Sequence, residues 1–335
     1  MFIDFRSDTV TKPTEGMLQA MMTAEVGDDV FGEDPTIQKL EQRLAEMFGM
    51  EKGLYCPSGT MTNQIAIKLL TNPMEELICD RLAHIYNYEG GGIAFNSSVS
   101  TRLVHGKKGI MTADMVLENI NPNDIHQPST TLVALENTMN KGGGSYYTLP
   151  QIAAISKVCK ENNLYLHLDG ARVFNALVET GEDPKEYGKY FDTISICLSK
   201  GLGAPAASVL LMSEANYPKA LRIRKVMGGG MRQGGYLAAA GIYALDHHIE
   251  RLKEDHERAK TLGETLKMLH FVRSVYPIDT NIVIFEVDDA KEMVQQLKEM
   301  GIGSVTFGPT LVRFVTHLDI DDEKLEKAIN ILRGM

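Results

Sequence analysis

The sequence predicts an α/β protein in which a mostly parallel sheet is flanked by helices and followed by a smaller C-terminal α+β unit. Three observations carry that expectation. Strand-like and helix-like stretches alternate along most of the chain. Several strands, such as "TISICLS", are apolar on both faces, as strands covered from both sides must be. The alternation stops near Gly241, where a long, charged, helical stretch begins.

Each element has its own signals. "EDPTIQKLEQRLAEMFG" reads as a helix: Asp34 can cap it, Pro35 suits the first turn, and Gly49 ends it. Its Ile37, Leu40, Leu44 and Met47 form one stripe. "GLYCPSGTMTNQIAIKLL" reads as strand, tight turn and helix, with Met61, Ile65 and Leu69 on one helical face. "TTLVALEN" is a strand, "LPQIAAISKVCKENN" a helix and "LYLHLD" a strand. "ARVFNALVET" and "TISICLS" continue the series as helix and strand. "IYALDHHIERLKEDHERAKTLGETLKML" then reads as one long helix. It leads into "TNIVIFEV", "DAKEMVQQLKEMG", "TLVRFVTH" and "DDEKLEKAINILRG", alternately strand and helix. The expected division is a large unit over 1–245, with an N-terminal arm over 1–13, and a small unit over 246–335.

Composition narrows the function. The 335 residues suffice for one large core and a smaller one. The chain is 44% hydrophobic and 23% charged, as folded enzymes are. Its net charge of -10 and its lack of basic runs argue against nucleic acid and anionic membranes as partners. No apolar run is long enough to span a bilayer, and "MFIDFRSDTV" does not have the pattern of a signal peptide. Cys56, Cys79, Cys159 and Cys197 form no CxxC pair, so small buried hydrophobes are expected rather than a zinc cluster. A reducing, cytoplasmic setting fits. No residue spacing suggests a metal site.

Three stretches fall at predicted strand ends, where open α/β sheets bind ligands. In "CPSGTMTN" a strand ends, Pro57-Ser58-Gly59 turns and a helix begins at Thr60. Backbone N–H groups at a helix start suit a phosphate, although a plain connection has the same pattern. In "LYLHLDGARVF", Asp169 ends an apolar strand. It could bind a metal, a ribose or a protonated ring nitrogen, or cap the next helix. In "ISICLSKGLGAPAASVLL", Lys200 is the one charge in an otherwise uncharged run. It could snorkel to solvent. The surrounding glycines favour close approach of backbone or ligand, and a desolvated lysine is a usable amine nucleophile. Phosphate cradle, carboxylate and amine, in that order, are what pyridoxal 5'-phosphate requires for its phosphate, ring nitrogen and aldehyde.

These stretches, with "DFRSDTVTKPT", "VGDDVFGEDPT", "HLDGARVFNA", "ICLSKGLGAP" and "GGGMRQGG", resemble the L-threonine aldolases of low specificity. That family has the aminotransferase-like, pyridoxal-phosphate-dependent fold type I. The resemblance runs from residue 2 to "VRFVTHLD". It implies retro-aldol cleavage of L-threonine, L-allo-threonine or another L-β-hydroxy-α-amino acid to glycine and an aldehyde. Lys200 matches the Schiff-base lysine, Asp169 the partner of the ring nitrogen, and Gly59 and Thr60 the phosphate loop. His84 matches the histidine stacked on the cofactor ring; without the resemblance it would pass for a satisfied core histidine. Ser7, Arg172 and Arg313 match groups that hold the substrate carboxylate. Arg313 has support of its own, because a charge inside apolar "TLVRFVTHL" needs an anionic partner, from substrate or from an internal salt bridge.

The resemblance also sends Arg232, and with it Lys225 of "KVMGGGMRQGG", to the cofactor phosphate, often of a neighbouring subunit. This implies a homodimer with shared active sites, and a homotetramer by family analogy. His126 matches a second histidine near the substrate hydroxyl. Tyr88, one helical turn after His84, falls where the family chooses between threonine diastereomers. His84 or His126, directly or through water, is the expected base. Competing readings are a β-eliminating lyase or aminotransferase of the same fold, and a binding protein of that fold without activity. A lysine aldolase on a (β/α)₈ barrel would need eight similar units, which the chain lacks.

Overall fold

A computed structural model describes residues 2–335. The main sheet has seven strands in the order Lys52–Cys56, Ser208–Met212, Thr193–Cys197, Tyr165–Gly170, Ser129–Glu136, Glu75–Asp80, Ser100–Val104. Neighbours are parallel except around Ser208–Met212, which is antiparallel on both sides. The reason lies in the loop. Cys197 stands opposite Ser208, and a short connection between adjacent strands forces them antiparallel, since a parallel pair needs a crossover. Lys200 therefore sits on a hairpin connection at the carboxyl edge of the sheet. Leu198 and Ala207 tie its base, with Leu198 N–H donating to Ala207 O at 3.1 Å.

The predicted helix caps hold. The helix Pro35–Phe48 starts with Asp34 accepting from the amides of Thr36 and Ile37 and ends at Gly49, whose φ of 65° suits glycine. The helix Gly59–Leu70 is capped by Ser58 and packs a fully buried Ile65 under the sheet. Strands Glu75–Asp80 and Ser100–Val104 had no clear alternation in the sequence; both complete the sheet at one end.

The C-terminal region forms a four-stranded antiparallel sheet in the order Val305–Thr306, Leu311–Val315, Ile282–Glu286, Ser274–Val275. Helices Leu252–Leu266, Ala290–Glu299 and Asp322–Arg333 cover it through Leu262, Leu297 and Leu325. Two features depart from expectation. The single long helix is two, Gly235–His247 and Leu252–Leu266. The break lets Ala244 and Leu252 enter the core of the main sheet while Ala259, Leu262 and Leu266 face the C-terminal core. A straight helix could not serve both. His248 anchors the corner by donating to Leu202 O at 2.7 Å. The second departure is the N-terminus. Ile3–Asp4 pairs in parallel with Ile302–Gly303, and Phe5 packs on Phe314 at 5.1 Å. Its alternation explains this: Ile3 and Phe5 are buried, Asp4 and Arg6 are not. The arm thereby stretches across the carboxyl edge of the main sheet, carrying Ser7 and Asp8 with it.

Candidate active site

Two cavities meet at that edge and share His84 and Lys200. The first, about 240 Å³, is lined by Ser58, Gly59, Thr60, Asn63, Asp169 and Cys197 among others. The second, about 330 Å³, is lined by Ser7, Tyr88, Asn140, Arg172, Phe307 and Arg313 among others. Of the twelve residues that the sequence singles out, nine are thus gathered around Lys200.

The first cavity is built by strand ends. Ser58 Oγ accepts the amide of Met61, and the first amides of the helix, those of Gly59 and Thr60, have no acceptor within it. A side chain at Gly59 would collide with Cys197 Sγ, so close packing of the helix on the Lys200 strand requires glycine. Asp169 does not cap the following helix, which starts at Val173 behind Arg172. Its carboxylate, 2% exposed, accepts from Ala171 N–H at 3.1 Å and from Asn63 at 3.0 Å. Among the described residues Lys200 Nζ has no carboxylate partner; its polar neighbour is Cys197 Sγ at 4.0 Å. Thr11 of the N-terminal arm donates to the Lys200 carbonyl at 3.1 Å and pins the loop.

His84 starts a short helix after the Glu75–Asp80 strand. Its Nδ1 lies 3.1 Å from Glu89 Oε1, and its ring is 5.5 Å from that of Tyr88. Burial pushes its pKa down, but the Glu89 hydrogen bond and the charges of Asp169 and Glu136 outweigh this and raise it above its ordinary 6.5. Glu136, fully enclosed beside Asp169, is pushed up to about 7 by burial and by that neighbour. Its oxygens accept the amides of His84 and Asn140 at 2.7 and 2.9 Å.

The second cavity contains two arginines in different states. Arg172 is neutralised by Asp8 through bonds of 2.7 and 2.6 Å, and Asp8 is held well below the usual carboxylate range against the opposing effect of burial. Among the described residues Arg313 has no carboxylate partner. Its Nη atoms donate to Asn140 Oδ1 and to the Arg6 carbonyl, each at 2.7 Å, and Nε is buried with no partner. Burial and the nearby Arg172 lower its pKa to about 10. Phe307 covers its face at 4.9 Å. The alternative of an internal salt bridge for Arg313 does not apply, and the free cation is oriented for an anion.

Three expected residues are not gathered. His126 lies in a turn where Asp124 accepts both its amide and its Nδ1, and its side chain is 82% exposed. Lys225 is exposed, and Arg232, 61% exposed, pairs with Asp28 at 2.9 Å. None of the three lines either cavity. Five contributors escape sequence reasoning: Asp8, Asn63, Glu89, Glu136 and Asn140. Two had a signal. Glu136 ends the apolar strand "TTLVALEN" as Asp169 ends its own, and Asn63 follows Gly59 by one helical turn, on the same face.

A family model for beta-eliminating lyases matches residues 4–290. The chain is 41% identical over 326 residues to the low specificity L-threonine aldolase of Escherichia coli K12, with 96% of each chain covered. It is 38% identical over 328 residues to low-specificity L-threonine aldolase 1 of Arabidopsis thaliana, covering 95% of this chain and 92% of that one. The chain belongs to the beta-eliminating lyase family, among the low-specificity L-threonine aldolases. The threonine aldolase of Leishmania major shares its fold, with a TM-score of 0.87 over 99% of both chains at 23% identity. This is the aminotransferase-like fold type I, and the cofactor of these aldolases is pyridoxal 5'-phosphate. The residues present fit it. The amides of Gly59 and Thr60 suit a phosphate, the enclosed Asp169 suits a ring nitrogen, and Lys200 is an amine with no ion-pair partner of its own. Among the described residues no helix is long and apolar enough to cross a membrane.

Proposed function

We propose that the chain cleaves L-threonine and L-allo-threonine, and other L-β-hydroxy-α-amino acids, to glycine and an aldehyde, acetaldehyde in the case of threonine. The observation that carries the site assignment is the junction of the two cavities at Lys200 and His84: a compartment lined by Gly59, Thr60 and Asp169 on one side, the buried Arg313 cation without a carboxylate partner on the other. Bound pyridoxal phosphate supplies the electron sink that receives the pair released when Cα–Cβ breaks. Gly59 and Thr60 hold its phosphate, Asp169 its ring nitrogen and Lys200 its aldehyde carbon.

The chain's own residues do the rest. Arg313, with Ser7 and the neutralised Arg172 beside it, binds the substrate carboxylate and orients Cα. His84 lines both cavities and is the group assigned to the β-hydroxyl. With Nδ1 tied to Glu89, its Nε2 is left to take the hydroxyl proton, directly or through water; a group of this kind is worth roughly 10²–10⁴-fold. Lys200, which lines both cavities, would return to Cα the proton that completes glycine. Tyr88 flanks the β-substituent and contributes to the choice of diastereomer. Arg232 and Lys225 act from a second copy, in a homodimer with shared sites that assembles further into a homotetramer. The small unit is assigned to residues 246–335, entered at the bend around His248. A cytoplasmic enzyme of threonine breakdown and glycine supply is the cellular role.

Incubating the purified, cofactor-loaded chain with L-threonine and measuring acetaldehyde tests the reading. Stoichiometric acetaldehyde and glycine are expected. Pyruvate or another keto acid as the product would point instead to a β-eliminating lyase or aminotransferase.

A further inference from the structure

The side-chain amide of Asn63 stands where three functional groups meet. It is 2% exposed and all its polar atoms are used. Its Nδ2 donates to Asp169 Oδ2 at 3.0 Å and to Glu89 Oε1 at 2.9 Å. Its Oδ1 lies 3.1 Å from Nε2 of His167, whose Nδ1 lies 2.8 Å from the Thr193 hydroxyl. His167 and Thr193 are both fully buried. One arrangement of protons satisfies this chain. Ionised carboxylates only accept, so both amide hydrogens face Asp169 and Glu89, and Oδ1 faces His167. His167 must then carry a proton on Nε2, and in the neutral ring Nδ1 accepts from the Thr193 hydroxyl. Burial, which pushes the ring down to about 4, agrees with that state.

Charge gives the arrangement its purpose. Ligand atoms of His84, Glu89 and Asp169 lie within 4.8 Å of one another. Two carboxylates this close repel unless a donor stands between them. The Asn63 amide is that donor for both. We propose that Asn63, oriented by His167, is a positioning residue that fixes Asp169 and the His84–Glu89 pair in one frame. The groups that hold the ring nitrogen and move the proton are thereby set together. The inference rests on the cofactor assignment above.

The test uses the full-length holoenzyme and its apoprotein. Asn63→Ala is expected to weaken pyridoxal phosphate binding, measured by titrating apoprotein with cofactor, and to lower kcat by about ten- to a hundred-fold. The KM for threonine should change little, because Arg313 is untouched, and the pH titration of the visible band should move. Two variants one step away guard against misfolding. His167→Leu cannot donate to Asn63 and should shift the band in the same direction; His167→Gln can donate and should restore it. An Asn63→Ala protein with parental cofactor affinity, kcat and band titration overturns the inference. So do His167→Leu and His167→Gln proteins with the same spectra. A parent chain that binds no cofactor overturns the site assignment and this inference with it; a normal parent beside unaltered variants removes the inference alone.

Discussion

The two cavities that meet at Lys200 are built in opposite ways. The cofactor side is made of strand ends and the turns that follow them: Gly59 and Thr60 after one strand, Asp169 and Lys200 on or after two others. Each of its groups is placed by its own local motif. The substrate side joins residues far apart in the chain, and its two arginines are positioned by distant partners: Arg172 by Asp8, Arg313 by Asn140 and the Arg6 carbonyl. Chemistry that must be the same for every substrate is fixed by the sheet. The second cavity is walled instead by residues of the N-terminal arm and of the C-terminal sheet.

This contrast predicts different failures on the two sides. The largest is on the cofactor side. Lys200→Ala should abolish turnover and the visible absorbance of the loaded enzyme while the protein stays folded, because Nζ loses only its 4.0 Å contact with Cys197 Sγ; spectrophotometry and circular dichroism check this. On the substrate side the largest effect should be on stability. Asp8→Asn leaves Arg172 buried without its counter-charge, which costs about 3–5 kcal/mol. The urea midpoint should fall, and kcat/KM with it. Arg313→Ala should shift the balance from stability to binding. It breaks no ion pair, only the bonds to Asn140 and the Arg6 carbonyl, so stability should fall less than in Asp8→Asn, while KM for threonine increases and kcat/KM falls by roughly 10²-fold, the worth of a charge-assisted bond. If Asp8→Asn and Arg313→Ala behave alike, the distinction between a neutralised and a free arginine is wrong.

The smallest effect lies at the junction, in pH. His84 has a raised pKa in the fold, so its cation persists above the ordinary 6.5. A base must be neutral, and kcat/KM should therefore rise with pH through that raised value. Glu89→Gln keeps an acceptor for Nδ1 but removes the negative charge that strengthens the bond, so the rising limb should move to lower pH. Stability carries the opposite sign: the extra stabilisation from the His84 cation is present below 6.5 and is lost as pH climbs through the raised pKa. A pH–rate profile of both proteins, with thermal midpoints at each pH, reads the two effects together.

What the sequence could and could not reveal follows the same division. The strand–turn–helix at Gly59, the strand-end Asp169 and the lysine in an uncharged hairpin were legible because each lies within a few residues of the signal that marks it. Arg313 was legible as an anomaly, a charge in an apolar strand, but its isolation from any carboxylate was not. Asp8 lies inside a motif the sequence displays, yet its partner is on another strand end, and no local pattern announces a buried pair. Glu89 sits in a segment that reads as an ordinary turn, and only folding brings it to Asp169; Asn63 shares a helical face with Gly59, but its reach to Asp169 comes from the fold. The straight helix expected across His248 failed for a related reason. Its two halves face different cores, and a change of core leaves no mark in a helical period that continues on both sides.

The central claim is that the amine of Lys200 carries the cofactor. Reducing the loaded enzyme with borohydride, digesting it and locating the pyridoxyl group by mass spectrometry tests that claim directly. The account predicts one labelled peptide, the one that contains Lys200, and loss of activity in step with labelling. Label on any other lysine, or full activity after stable labelling, would contradict it.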